Sequence, residues 1–299
     1  MMFQVITRRD DNIGYHIYLS DIPIELLDDS IVFMPELSTK EHHHVKYVSK
    51  YTHKSGNIIV KLVRSDGEDP FGRPKSLSHS FVVTSEEYNF NSLKYYSSPL
   101  VESNLFDNVD TEPRLLDLNN FKKSENKILE KIDMKKLREI IVAAMVEQKV
   151  VLQPNLESDD LISLASLIDK AIPYEASYDF SLITYSDKSC NQFLIHNILY
   201  FFSRENKIQE GIDVKNISTR VKEIAKEEKE YLDNYIEIII HEDYEKLLQE
   251  HAKWVIGMNY NDHKELQKHF TRRYQLDIPF SRRNKFHAQL VKSLSVFYT

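Results

Sequence analysis

The chain has 299 residues, 41% of them hydrophobic and 28% charged, with a net charge of −7. It can bury a sizeable core as one large domain or two ordinary ones, and its 17 Tyr and 15 Phe argue against a disordered chain. Its glycines number only 6, and neither G-x-x-x-x-G-K-S/T nor G-x-G-x-x-G occurs, which argues against a P-loop NTPase, a typical Rossmann enzyme or a glycine-loop kinase.

The first third reads as β-rich. Phe3–Thr7 and Tyr15–Leu19 are short aromatic and β-branched runs around an Asp10-Asp11-Asn12-Ile13-Gly14 turn, which predicts a hairpin. Val45–Tyr51 and Ile58–Arg64 flank a second turn, His53-Lys54-Ser55-Gly56-Asn57. The loop from Ser65 to Pro74 leads into His79–Thr84. Five strands joined in sequence suggest an antiparallel meander. Residues 85–125 are polar and broken by Pro99 and Pro113, so they read as a connector.

From Asp133 the apolar period becomes helical. Leu137, Ile140, Ile141, Ala144 and Met145 share one face, with Asp133 as the N-cap. Val150–Leu152 reads as a short strand. Ser158, Asp159 and Asp160 open a second helix through Ile168, ended by Pro173, and Asp179–Tyr185 is a further strand. Strand, helix, strand at this spacing predicts a βαβ unit, its two strands parallel with a right-handed crossover. Beyond Cys190 only helices are expected: Phe193–Phe202, Ile217–Glu230 (inner face Val221, Ile224, Ala225), Tyr231–Trp254, Lys264–Tyr274 and Arg282–Val296. The fold class is therefore mixed α+β to α/β: an antiparallel sheet with its connector over 1–125, an α/β unit over 126–205 and a helical region over 206–299.

Cys190 is the only cysteine, so neither an intrachain disulfide nor a cysteine-rich zinc site can form. The N-terminus shows no signal-peptide pattern, and the expected compartment is the cytosol. Runs such as Ile195–Phe202 fall short of the about 20 apolar residues that a membrane helix needs. The charge is uneven. From Lys268 onward, seven Lys or Arg stand against Asp277, a local +6, which leaves −13 on residues 1–267.

Several clusters resemble chemistry without completing it. In a strand, the adjacent histidines His42-His43-His44 alternate faces and cannot all meet one metal. His241-Glu242 starts like a zincin motif, but Glu245 stands where the second histidine belongs, and His251 falls on another face. They read as exposed helix residues. Asp133 with Glu147 and Lys149 has the letters of a metal nuclease, yet Lys149 reads as a helix C-terminal cation. Cys190 and His196 diverge on a helix. No cofactor is implied. Arg272, Arg273, Arg282 and Arg283, interleaved with Phe270, Tyr274, Phe280 and Phe286, carry the minimum ingredients for nucleic-acid or phosphate binding. The same aromatics also suit the core face of two helices.

Two segments carry a family resemblance. Arg64, then Gly72-Arg73-Pro74, then Ser78-His79-Ser80-Phe81-Val82-Val83 resembles a segment of the N-terminal domain of bacterial GTPase-associated conflict-system proteins. Val150-Val151-Leu152, Ile172-Pro173 and Phe180-Ser181-Leu182-Ile183-Thr184-Tyr185 is similar to a second segment of that family and, more loosely, to the βαβ core of DENN modules. The pattern departs at Pro74, where glycine is expected, at Ser80, and at Leu182-Ile183, which lengthens the second motif. The resemblance implies a longin-like N-terminal domain, a DENN-like α/β unit, and a non-catalytic partner or exchange factor of a small GTPase. Arg73, His79 and Tyr185 are the partner-binding residues that it singles out.

Overall fold

The computed structural model describes residues 2–10, 14–28, 31, 46–53, 55–68, 71–72, 74–84, 87–88, 95–96, 98, 101, 130–146, 149–152, 157–172, 180–184, 198–201, 217–241, 246–247 and 249–251. Five strands, β1 (Met2–Asp10), β2 (Gly14–Ser20), β3 (Lys46–Thr52), β4 (Ile58–Glu68) and β5 (Pro74–Val83), occupy the first part. Helix α1 (Met134–Val146), β6 (Lys149–Leu152), α2 (Ser158–Ala171), β7 (Ser181–Ile183), β8 (Ile198–Phe201), α3 (Thr219–Glu227) and α4 (Lys229–Ile240) follow. The fold is mixed α+β.

All eight strands join one sheet in the order β2-β1-β5-β4-β3-β7-β8-β6. The first five are antiparallel, as expected, but they do not form a simple meander. β1 pairs with both β2 and β5, and β3 lies four strands away from β2. Residues 21–45 separate β2 from β3, too long a link for a tight hairpin turn, so nothing local forces those two strands together. Among the described residues, β3 then pairs antiparallel with β7 through Ser49↔Ile183 and Lys50↔Leu182. Thr184 extends that junction: its N–H donates to Val48 O at 2.9 Å, and its Oγ1 accepts from Val48 N at 2.9 Å.

β6 and β7 run in the same direction, as the βαβ reading expects, but they are not neighbours: both pair parallel with β8, which lies between them. β8 falls within the Phe193–Phe202 run that the sequence suggests as a helix. Ile198-Leu199-Tyr200-Phe201 is a short apolar run rich in aromatic and branched residues, and at that length periodicity does not distinguish a buried strand from a buried helix. Lys149 begins β6 opposite Ile198 and is not a helix C-terminal residue.

The helices follow the sequence closely. Asp133 caps α1, its carboxylate accepting the Lys135 N–H at 3.3 Å. α2 places Asp159 and Asp160 in its first turn, where the dipole favours them, with Glu157 at the N-cap position. It ends at Ala171 with Ile172 extended, as a residue before Pro173 must be. α3 buries Val221, Ile224 and Ala225 and is capped by the Ser218 side chain. Of the expected helix over Tyr231–Trp254, α4 covers the part to Ile240 and ends with His241 at its C-cap, and 246–247 and 249–251 are helical.

β4 is buried on both sides, which explains its nearly continuous apolar run. Ile58, Val60 and Leu62 join Val48, Phe81, Val83 and Leu182 against the inner faces of α1, α2, α3 and α4. Ile59 joins Val5, Val82, Tyr51 and Ile31 on the opposite face. Of the described residues of the connector, Tyr88, Tyr95, Tyr96, Ser98 and Val101 are buried and Glu87 is partly exposed, and the four apolar or aromatic ones belong to the helix-side core. Among the described residues, no helix is long and apolar enough to cross a membrane.

Candidate functional site

The β4–β5 hairpin carries the most exposed aromatic side chain among the described residues. Its strands close through Glu68↔Pro74, with a register shift between Ser65 and Glu68 that bends the ribbon. At the tip Gly72 adopts φ 74°, a backbone that L side chains rarely take, and Phe71 beside it is 74% exposed. The β1–β2 tip lies at the same end of the sheet. β1 runs antiparallel to β5 with Arg9↔Ser76 and turns back through Asp10↔Gly14. The two tips therefore sit side by side, and Gly72-Arg73-Pro74 belongs to one of them. Arg73 itself lies outside the described residues.

His79 points the other way. It sits on β5 between β1 and β4, opposite Ile6 and Leu62, fully buried. Its Nδ1 lies 2.7 Å from Ser98 Oγ and its Nε2 lies 3.0 Å from Gln4 Oε1. The ring packs on Phe81 with centroids 4.2 Å apart. Burial pushes the His79 pKa down to about 3, so the ring is neutral. Nε2–H donating to Gln4 and Nδ1 accepting from Ser98 satisfies both nitrogens. The side chain ties β1, β5 and the connector together rather than forming a surface.

A second buried centre lies in the adjacent row of the sheet, Gln4–Phe81–Val60–Lys50–Leu182. Lys50 and Asp169 form an ion pair at 2.8 Å with side chains 0% and 1% exposed. The other Asp169 oxygen accepts a short hydrogen bond from the Tyr88 hydroxyl, and Tyr96 lies 3.4 Å from that hydroxyl. The Lys50 ammonium also faces two rings, 5.1 Å from the Tyr88 centroid and 5.5 Å from that of Phe180. Burial, then the charge of Asp169, pushes the Tyr88 phenol well above its ordinary value, so it stays protonated and donates. No sequence motif marks Lys50 or Asp169. The signal was phase: Lys50 alternates with Val48 on the helix-facing side of β3, and Asp169 lies on the apolar face of α2 beside Ala165.

A third polar pair closes the helical end. Tyr235 donates its hydroxyl to Ala171 O at 2.7 Å and lies 2.9 Å from His251 Nε2. His251 is fully buried, with burial pushing its pKa down to about 3. It is therefore not the exposed helix residue that its polar neighbours suggest. His241 is exposed and pairs with Glu237 at 3.0 Å, one turn back on α4. Among the described residues, no three His, Cys, Asp or Glu side chains converge as a metal site would require.

Tyr185, Arg272, Arg273, Arg282 and Arg283 lie outside the described residues, as do His42-His43-His44, Glu147, Cys190, His196 and Glu245. Of the residues singled out by the resemblance, only His79 is described. No protein-family model and no curated protein matches this chain.

Proposed function

We propose that this chain is an interaction module that engages a small GTPase, as an exchange factor or adaptor in a prokaryotic system. In this reading its N-terminal sheet is a longin-like domain followed by a DENN-like α/β unit. The observation that carries the reading is the β4–β5 tip, where a 74% exposed phenylalanine stands next to the Gly72-Arg73-Pro74 segment on which the family resemblance rests. Large aromatics presented on rigid elements are the usual anchors of protein interfaces, and two long paired strands hold this one. The order of elements supports the same reading: an antiparallel sheet, then parallel strands with helices, then a helical end. His79, Lys50 and His251 are closed off by packing, so the reading assigns partner contact to Phe71, Arg73 and Tyr185.

The test mixes the protein with small GTPases encoded near it and follows release of a labelled guanine nucleotide. A complex and accelerated release are expected with one of them. Phe71→Asp and Arg73→Ala should each weaken the effect about tenfold or more, with the thermal midpoint of Phe71→Asp unchanged because that side chain is exposed. No complex and no change in release with any of these GTPases would overturn the reading.

A further inference from the structure

The antiparallel and parallel halves of the sheet meet at a narrow seam. Two residue pairs, Ser49↔Ile183 and Lys50↔Leu182, together with Thr184 against Val48, make up the described ladder between β3 and β7. One of the residues at that seam is Lys50, whose ammonium is the meeting point of four chain segments. β3 supplies the lysine and α2 supplies the Asp169 carboxylate at 2.8 Å. Tyr88, beyond β5, supplies a ring face at 5.1 Å and, through its hydroxyl, a bond to the same carboxylate. Phe180, immediately before β7, supplies a second ring face at 5.5 Å.

We propose that the buried Lys50 ammonium is an interlock that couples the two halves of the sheet, so that α2 and β7 cannot leave the antiparallel half without breaking one shared polar centre. The physical argument is the asymmetry of buried charge. A buried pair is worth little against a well-packed apolar replacement, but separating its partners strands a charge inside the protein. Any motion that parts α2 from β3 must separate Lys50 from Asp169, and it also takes the carboxylate from Tyr88. An apolar contact of the same area would yield gradually, whereas this centre yields all at once. It therefore makes the seam, which the described residues join through two ladder pairs, a cooperative one. The same centre also takes in Tyr88, beyond β5, through its bond to Asp169.

Native-state amide hydrogen exchange tests the proposal. In the wild-type protein, amides of β3, β4 and β5 and those of α2 and β7 should exchange through one common opening. In Lys50→Met/Asp169→Leu, where neither charge is left unpaired and only the Tyr88 hydroxyl loses its carboxylate acceptor, the thermal midpoint should fall by no more than a few degrees. The α2 and β7 amides should then lose about tenfold or more of their protection relative to β4 and β5. Tyr88→Phe and Phe180→Leu keep the charge pair and should show the same separation to a smaller degree. Two distinct openings in the unaltered wild-type protein would overturn the proposal without any variant. So would a double variant, or the pair of milder variants, in which both groups of amides still exchange together.

Discussion

Two histidines show how strongly position alone sets chemistry in this chain. His79 and His251 reach full burial by different routes, one on a central strand and one beyond α4, and burial holds each near a pKa of about 3 instead of the ordinary 6.5. A depressed pKa means that the folded state binds fewer protons than the unfolded chain between those two values. The stability each neutral ring contributes is therefore fully present above pH 6.5 and is lost as pH falls toward 3, with a slope of about 1.4 kcal/mol per pH unit per histidine. Thermal unfolding followed from pH 7 to 4 should show a steep fall in midpoint. In His79→Gln/His251→Gln the slope over the same range should be clearly shallower, although the midpoint at pH 7 is lower because packing is disturbed. Equal slopes in the two proteins would mean that neither ring is held neutral. Neither role could be read from the sequence: a histidine between two serines on a strand gives no sign of which face it takes, and His251 sits among charged neighbours.

At the scale of elements, the readable parts were those with local signals. Glycine- and asparagine-rich turns delimited the hairpins, and the periodic stretches from Leu137 and from Leu161 gave α1 and α2 nearly to the residue. The placement of β5 beside β1 had no local signal, because it depends on a long connection and on pairing between distant segments. β8 was misread because four apolar residues have no period. β5 itself carries a feature that only the structure reveals. Ser76, Ser78 and Ser80 alternate along one face, beside Thr7 opposite Ser78 and Ser65 opposite Ser76. All five hydroxyls are buried and have no hydrogen-bond partner among the described residues. A buried unpaired hydroxyl loses its bonds to water and gains none in return. Ser78→Ala is therefore expected to stabilise the protein by about 1 kcal/mol, read from urea unfolding with an unchanged m-value. A loss of stability would show that this hydroxyl is satisfied in solution.

Over the whole molecule, one apolar core runs from the antiparallel sheet into the helices, while formal charge is divided between a −13 body and a +6 end. The division leaves two uses for Arg272, Arg273, Arg282 and Arg283: neutralising the protein's own acidic surface, or meeting the phosphates of a nucleic acid. Salt separates them. Each phosphate contact made by an arginine on a single strand releases counterions and adds about 0.7 to the slope of log affinity against log salt. Four such contacts would give a slope near −3, lost when all four arginines become alanine. On the proposed reading as an interaction module, the chain is expected to bind single-stranded RNA only weakly, with the same affinity and salt slope before and after that substitution. Titration of labelled RNA between low and physiological salt measures both quantities. A steep wild-type slope that collapses in the alanine variant would transfer the function to nucleic acid, because neutralisation within the protein would leave no RNA affinity for the substitution to remove.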